Sequence, residues 1–461
     1  MQSDCLSWVV VAKKLITITI IPILGYFAVS AQNPFIQTIY TADPAPLVHK
    51  DTLYLFTGHD EDSSTWFTMK DWHVFSTTDM VNWTHLGSPL SLKSFNWAEK
   101  DAWAGHCIER NGKFYWYVPV KEKGGGMSIG VAVADHPKGP YKDALGKRLV
   151  HSGNGDIDPT AFIDDDGQAY LYWGNPYLKY VKLNEDMVSY SGEVVSVPLN
   201  AEGFSKRIKD ADKRPSEYEE GPWLYKRKDL YYLVYPAGGV PEHLAYSTAS
   251  AATGPWKYRD TIMPVIKKGG AFTNHPGVID YKGKSFLFYH SGALPGGGGF
   301  TRSVCVDEFT YNADGTIPRI KNTEEGVNPV QFLNPFIRQQ AETMAWAQGV
   351  EIATAPETGV YVTDISNNDY IKVRNVDLKK GAKTFEASIA AIANGGIIEI
   401  RADSLSGTLL AMCNLKLTGN MKKWETRTYK TNKKVKGVHD VYFVFKGSDG
   451  ELFNFDWWKF R

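Results

Sequence analysis

Cysteine is scarce in this chain, with four among 461 residues, and none falls in a short Cys-x-x-Cys spacing. That scarcity argues against a disulfide framework and against a zinc site, though one bridge stays open among Cys107, Cys305 and Cys413. Net charge is also missing: Lys+Arg and Asp+Glu are both 51, so nothing in the balance points to nucleic acid or an anionic membrane as a partner. Past the N-terminus, no apolar run is long enough to span a bilayer. The one apolar run, "LITITIIPILGYFAV", follows Lys13-Lys14, is interrupted by Pro22 and Gly25, and ends in "VSAQ". It reads as a secretory signal over residues 1–31 rather than an anchor, with the mature chain beginning near Gln32 and exported to the periplasm or medium. No cysteine follows the run to carry a lipid.

Aromatic residues, by contrast, are abundant at 13%, with 14 Trp and 25 Tyr. Such side chains pack between sheets and also stack on the apolar faces of sugar rings. The stretch "GDIDPTAFIDDDGQAYLYWG", residues 155–174, holds five aspartates. A calcium loop is excluded there, because Asp164-Asp165-Asp166-Gly167 lacks the alternating ligands and distal Glu of an EF-hand. Those residues read instead as a hairpin turn.

The same pattern recurs. "ADPAPLVHKDTLYLF", "AWAGHCIERNGKFYWY", "IDPTAFIDDDGQAYLY", "EGPWLYKRKDLYYLV" and "HPGVIDYKGKSFLFY" each pair a short apolar strand, a polar turn and a strand rich in Tyr, Phe and Leu. Their turn positions Asp51, Gly112, Gly167, Asp229 and Gly283 are spaced by 61, 55, 62 and 54 residues. Five such units with roughly four strands each predict an all-β chain opening with a five-bladed β-propeller over 32–330. A sandwich or barrel built from hairpins is the alternative. Eight or nine residues before each turn stand Asp43, Trp103, Asp158, Glu220 and His275. Equivalent blades would bring all five to one end of the channel, where three carboxyl groups perturb one another's pKa values. The plainer reading of Asp43 and Asp158 is that Asp-Pro merely starts a turn.

Together "YTADPAPLV", "GDIDPTAFIDDDGQAYLYWG", "EGPWLYKRKDLYYLVY" and "TNHPGV" resemble glycoside hydrolase family 43 over roughly residues 33–325. The resemblance implies a five-bladed propeller that hydrolyses glycosidic bonds of pentose-rich plant polysaccharides with inversion and needs no catalytic cofactor. It implies Asp43 as general base, Glu220 as general acid, and Asp158 as the anion that keeps Glu220 protonated. His275 matches a position that helps hold a water or metal ion on the axis, with a core histidine as the plain alternative. Arg302, after "LPGGGGFTRSV", matches a sugar-contacting Arg, with a surface Arg as its alternative, and Trp103 is a candidate wall for the sugar. The implied substrate is a plant-type polysaccharide or oligosaccharide, cut by an exo-acting α-L-arabinofuranosidase. A β-xylosidase is the enzymatic rival, and a non-catalytic sugar-binding protein is the reading from another class.

After "NTEEGVNPVQFLNPF" the repeat ends, and residues 335–461 alternate apolar and polar like the strands of a jelly-roll β-sandwich. This part is similar to carbohydrate-binding module family 6. The likeness implies a structural calcium held by Gln340, Glu342 and Asp456, oxygen donors that suit a hard ion. It also implies a sugar sandwiched between a Tyr and a Trp. Tyr361 approximates the first, Met421 stands where the second is expected, and Trp424 reads as a buried core residue.

Overall fold

The computed structural model describes residues 32–391, 395–431 and 435–461. The predicted signal, residues 1–31, lies outside the described residues. Among those described, no helix is long and apolar enough to cross a membrane.

Five antiparallel sheets follow one another along the chain, and each one's first strand lies innermost. These inner strands are Thr41–His49, His106–Arg110, Thr160–Ile163, Trp223–Arg227 and Gly277–Tyr281, and each adjoins the next around a ring that closes on itself. The chain therefore forms a five-bladed propeller. In the first blade β1 (Thr41–His49), β2 (Thr52–Asp60), β3 (Met69–Thr77) and β4 (Trp83–His85) pair in order. The second strand of every blade is covered on both faces by neighbouring blades, so Leu53, Tyr54, Leu55 and Phe56 are all buried, as are Leu171, Tyr172 and Trp173. That explains why these strands read as apolar runs without alternation.

The hairpin turns take the left-handed backbone that their sequences suggest. Asn111-Gly112 and Lys282-Gly283 both have positive φ at the two positions, the geometry that matches strand twist. The Asp164–Gly167 segment is a turn, with Asp164 accepting hydrogen bonds from the Tyr231 hydroxyl at 2.7 and 2.8 Å. The fifth blade departs from four strands: its sheet has three, ending at Ser303–Phe309. The N-terminal segment lies along that last strand, with Phe35 N–H donating to the Val304 carbonyl and Asn33 exchanging side-chain bonds with Val306. This contact ties the first described residues to the last blade.

Two further sheets face each other across Phe385, Phe443 and Trp458, forming the β-sandwich. The junction with the propeller is hydrogen-bonded rather than loose. Thr343–Met344 pairs with β4 and so extends the first blade. Asn82 donates to the Arg374 carbonyl at 2.9 Å and accepts from its N–H at 2.8 Å. All three cysteines in the described residues are buried free thiols, so no bridge forms among them.

Candidate active site

Each inner strand begins at the same end of the ring, and the residues just before or within those starts meet there. Asp43, Trp103, Asp158, Glu220, His275 and Arg302 all line one pocket of about 190 Å³. Asp43 and Asp158 both have left-handed backbones, with φ of 56° and 57°. Asp43 lies in a stretch where β1 slips register against β2. Left-handed backbone also occurs at plain turns of this chain such as Asn111 and Lys282, so it is the convergence of Asp43 and Asp158 on one pocket that goes beyond ordinary turn initiation.

Asp43 is buried, yet it is held below the usual carboxylate range. Burial works to raise it, and Arg302 and His275 outweigh that. Arg302 is also buried, not a surface residue. Its Nε and one terminal nitrogen form a fork on Asp60 at 2.9 and 2.8 Å, while the other terminal nitrogen reaches Asp43 at 3.1 Å and Thr273 at 3.2 Å. Bidentate pairing of this kind fixes orientation as well as charge. With its donors engaged on protein atoms, Arg302 chiefly positions Asp43. His290 accepts the Asp43 N–H at Nδ1 (3.2 Å) and donates from Nε2 to the Thr273 carbonyl at 2.8 Å. Burial pushes it down to about 3, so it is a neutral, fixed tautomer.

His275 lies between the two outer carboxylates, with Nδ1 3.3 Å from Asp43 and Nε2 3.2 Å from Glu220. Burial works against its charge, but Asp43, Asp158 and Glu220 raise it to about 10, so it is an imidazolium. Donor atoms of Asp158, Glu220 and His275 lie within 4.8 Å of one another, a geometry that suits a cation. With no ion bound, the protonated His275 supplies the positive charge there; a cation would take that place by displacing the His275 proton.

The proton balance differs from the expectation drawn from the sequence. Burial, together with Glu220 and Asp43, pushes Asp158 up to about 8. Burial also acts to raise Glu220, but His275 and the Asn175 amide (2.5 Å) hold it below its ordinary range. In the free site the extra proton therefore rests on Asp158 rather than Glu220. The two carboxyls share it as a pair.

Several residues here had no repeat signal. Asp60, His290, Asn175 and Thr273 come from positions without counterparts in the other units. Glu242, buried and bonded to the Asn274 N–H at 2.9 Å, is raised well above its usual value, first by burial and then by Glu220. Around the mouth stand Trp66, Phe67, Phe272 and Phe300 in mutual ring contact. Trp66 is 60% exposed. Aromatics placed in Ser- and Gly-rich loops, as in "SSTWF" and "GGAF", were the available signal for this rim.

Residues 31–317 match the family model for glycosyl hydrolases family 43. The chain belongs to glycosyl hydrolase family 43. Residues 340–461 of this family 43 glycosidase match the model for carbohydrate binding module (family 6). It is 33% identical to an arabinoxylan arabinofuranohydrolase of Bacillus subtilis (strain 168), an alignment covering 93% of this chain and 92% of the relative. A xylosidase/arabinosidase of Bacteroides ovatus is 31% identical over 62% of this chain and 96% of its own length. The crystal structure of a Bacillus subtilis family 43 arabinoxylan arabinofuranohydrolase in complex with cellotetraose superposes with a TM-score of 0.80 at 30% identity, covering 94% of this chain and 97% of that one.

In the family 6 module, Glu342 and Asp456 are buried side by side, and Glu342 Oε2 has no hydrogen-bond partner. Burial and the neighbouring Asp456 raise Glu342 well above its usual range. Two buried carboxyls, one with an orphaned oxygen, fit a hard cation. Gln340 is joined to the same cluster through Arg338, which reaches its Oε1 at 3.0 Å and Asp456 at 3.3 Å. Trp424 is only half-buried, contrary to its reading from sequence, because it packs edge-to-face on Tyr361 at 5.1 Å. Rings in direct contact leave no slot for a sugar between them.

The rim aromatics lead to a prediction for this glycosidase. Stacking on an exposed ring contributes about 0.5–1.5 kcal/mol, or roughly 2- to 10-fold in affinity. Replacing Trp66 by Ala should therefore raise KM by that factor and leave kcat nearly unchanged. Steady-state kinetics on any accepted polymeric substrate checks it.

Proposed function

We propose that this enzyme is a secreted, inverting, exo-acting α-L-arabinofuranosidase that removes side chains from arabinoxylan or arabinan. The observation that carries the reading is the pocket itself. At about 190 Å³ it is smaller than the roughly 300–1,000 Å³ clefts of drug-sized ligands, so it suits one sugar unit with carboxyls around it. The likeness to arabinoxylan arabinofuranohydrolases runs through both domains, which supports arabinose over xylose. The β-xylosidase reading is supported by the Bacteroides ovatus relative, whose likeness spans 62% of this chain. Export rests on the signal read in residues 1–31.

Asp43 is the general base. Its low pKa keeps it ionised and ready to take a proton from the attacking water. Glu220 is the general acid on the far side of His275, and inversion requires roughly 6.5–9.5 Å between the two carboxyls so that water fits. Asp158 stores the proton in the free site and passes it to Glu220 as the leaving oxygen takes its place there. Glu220 then protonates that oxygen while Asp43 receives the proton from water, and exchange with solvent restores both. Trp103 walls the sugar, held by its indole N–H on the Phe67 carbonyl at 3.0 Å. Gln340, Glu342 and Asp456 hold a structural calcium away from the chemistry.

Two outcomes follow. Glu220→Ala should depress hydrolysis of substrates with poor leaving groups far more than that of nitrophenyl pentosides, whereas Asp43→Ala should depress both alike, by about 10²–10⁴-fold. A leaving-group dependence that follows Asp43, or faster release of xylose than arabinose from a nitrophenyl panel, sinks the respective assignment. For the module, calcium at a hundredfold excess over its Kd should stabilise the full chain by about 2.7 kcal/mol. Thermal scans with calcium and with chelator should therefore differ for the wild type and coincide for Glu342→Gln.

A further inference from the structure

In the middle of the first blade, with none of the three lining the pocket, His59 of β2 meets Asp71 and His73 of β3. Asp71 and His73 stand two apart and so share one face of their strand. The β2–β3 pairing shifts register between Gly58 and Asp60, which brings His59 against Asp71. His59 Nδ1 lies 2.9 Å from one Asp71 oxygen and His73 Nε2 3.3 Å from the other. One donor atom from each of the three lies within 4.8 Å of the rest.

The buried side of this group is organised as a ligand support. His73 Nδ1 contacts His85 Nε2 at 2.8 Å, and His85 stacks on Phe75 with centroids 4.5 Å apart. Both imidazoles are buried. Neither His73 Nε2 nor His85 Nδ1 has a hydrogen-bond partner. If His73 carries its proton on Nδ1, the Nε2 lone pair faces the Asp71 carboxylate. If His85 supplies the bridging proton, its own Nδ1 is left as a buried, unpartnered acceptor and the His73 Nε2–H is misaligned with Asp71. A cation between His73, Asp71 and His59 gives the Nε2 lone pair a partner in the first arrangement, while His85 Nδ1 stays unpartnered in either. His73 then ligates through Nε2 and donates its other N–H to His85, the outer-sphere partner that metal-bound histidines characteristically have.

We propose that His59, Asp71 and His73 form a binding site for a divalent transition ion of the zinc class. Two imidazoles and a carboxylate are the donors such ions select, with water completing the sphere. The absence of a short cysteine spacing has no bearing on it, since no thiolate takes part. His59 and Asp71 side chains are 20% and 25% exposed, which leaves the site open on one edge for entry. The ion would clasp β2 to β3 immediately beside Asp60, the residue that anchors Arg302.

The test uses chelator-treated full-length protein titrated with Co²⁺, read by its visible d–d absorption, with Zn²⁺ as competitor. One equivalent should bind the wild type and be displaced by Zn²⁺. His59→Gln and Asp71→Asn, both at the exposed edge and leaving the buried His73–His85 pair intact, should each bind at least about tenfold more weakly. Retained hydrolysis of a nitrophenyl pentoside reports that these variants are folded. Zn²⁺ should raise the melting temperature of the wild type and not of His59→Gln. Glu342→Gln should bind Co²⁺ as the wild type does. No uptake by folded wild type, equal binding by His59→Gln, or loss confined to Glu342→Gln overturns the proposal.

Discussion

Buried charge at one end of the propeller axis is the constraint on which the rest of this structure depends. Asp43, Asp60, Asp158, Glu220 and Glu242 are all buried at this end, with Arg302 and His275 as cations beside them. Ionised groups are expensive to bury unless they are paired and hydrogen-bonded. The fold answers with two different pairings. Arg302 forks onto Asp60 and reaches across to Asp43, so a permanent charge holds Asp43 ionised. His275 links Asp43 to Glu220, while Asp158 stays neutral by keeping a proton. The site thus contains a fixed anion and a mobile proton on opposite sides of one imidazolium, which is the asymmetry that an acid–base hydrolysis needs.

The architecture places these groups by repetition. Each blade brings the start of its innermost strand to the same end, so residues some sixty positions apart in sequence become neighbours. This is why so much of the site was legible: Asp43, Trp103, Asp158, Glu220 and His275 share a phase in the repeat, and the phase translates directly into convergence. Residues outside the phase were not legible. Asp60 ends β2, Asn175 follows the third blade's second strand, and His290 lies in the last blade. Each reaches the pocket only through the three-dimensional arrangement. The location of the shared proton was likewise hidden, because it depends on His275 sitting beside Glu220, which no spacing reveals. Trp424 was misread because apolar character alone does not distinguish a core ring from one packed on a half-exposed Tyr361.

The β-sandwich is joined to the first blade rather than carried on a free tether. The Thr343–Met344 strand extends that blade's sheet, and the Asn82 side-chain amide donates to the Arg374 carbonyl and accepts from its N–H. A module fixed in this way has a set orientation relative to the pocket. Its Tyr361–Trp424 contact offers an aromatic edge rather than a slot.

The central claim is that the His275 imidazolium sets the ionisation of all three carboxyls, since it lowers Asp43, Asp158 and Glu220 alike. The direct measurement is the pH dependence of kcat/KM for the wild type and for His275→Gln. With the cation removed, each carboxyl holds its proton to higher pH. The acidic limb, set by ionisation of Asp43, and the basic limb, set near pH 8 by loss of the proton shared by Asp158 and Glu220, should both move upward. Limbs that stay in place, or that move toward lower pH, would contradict it.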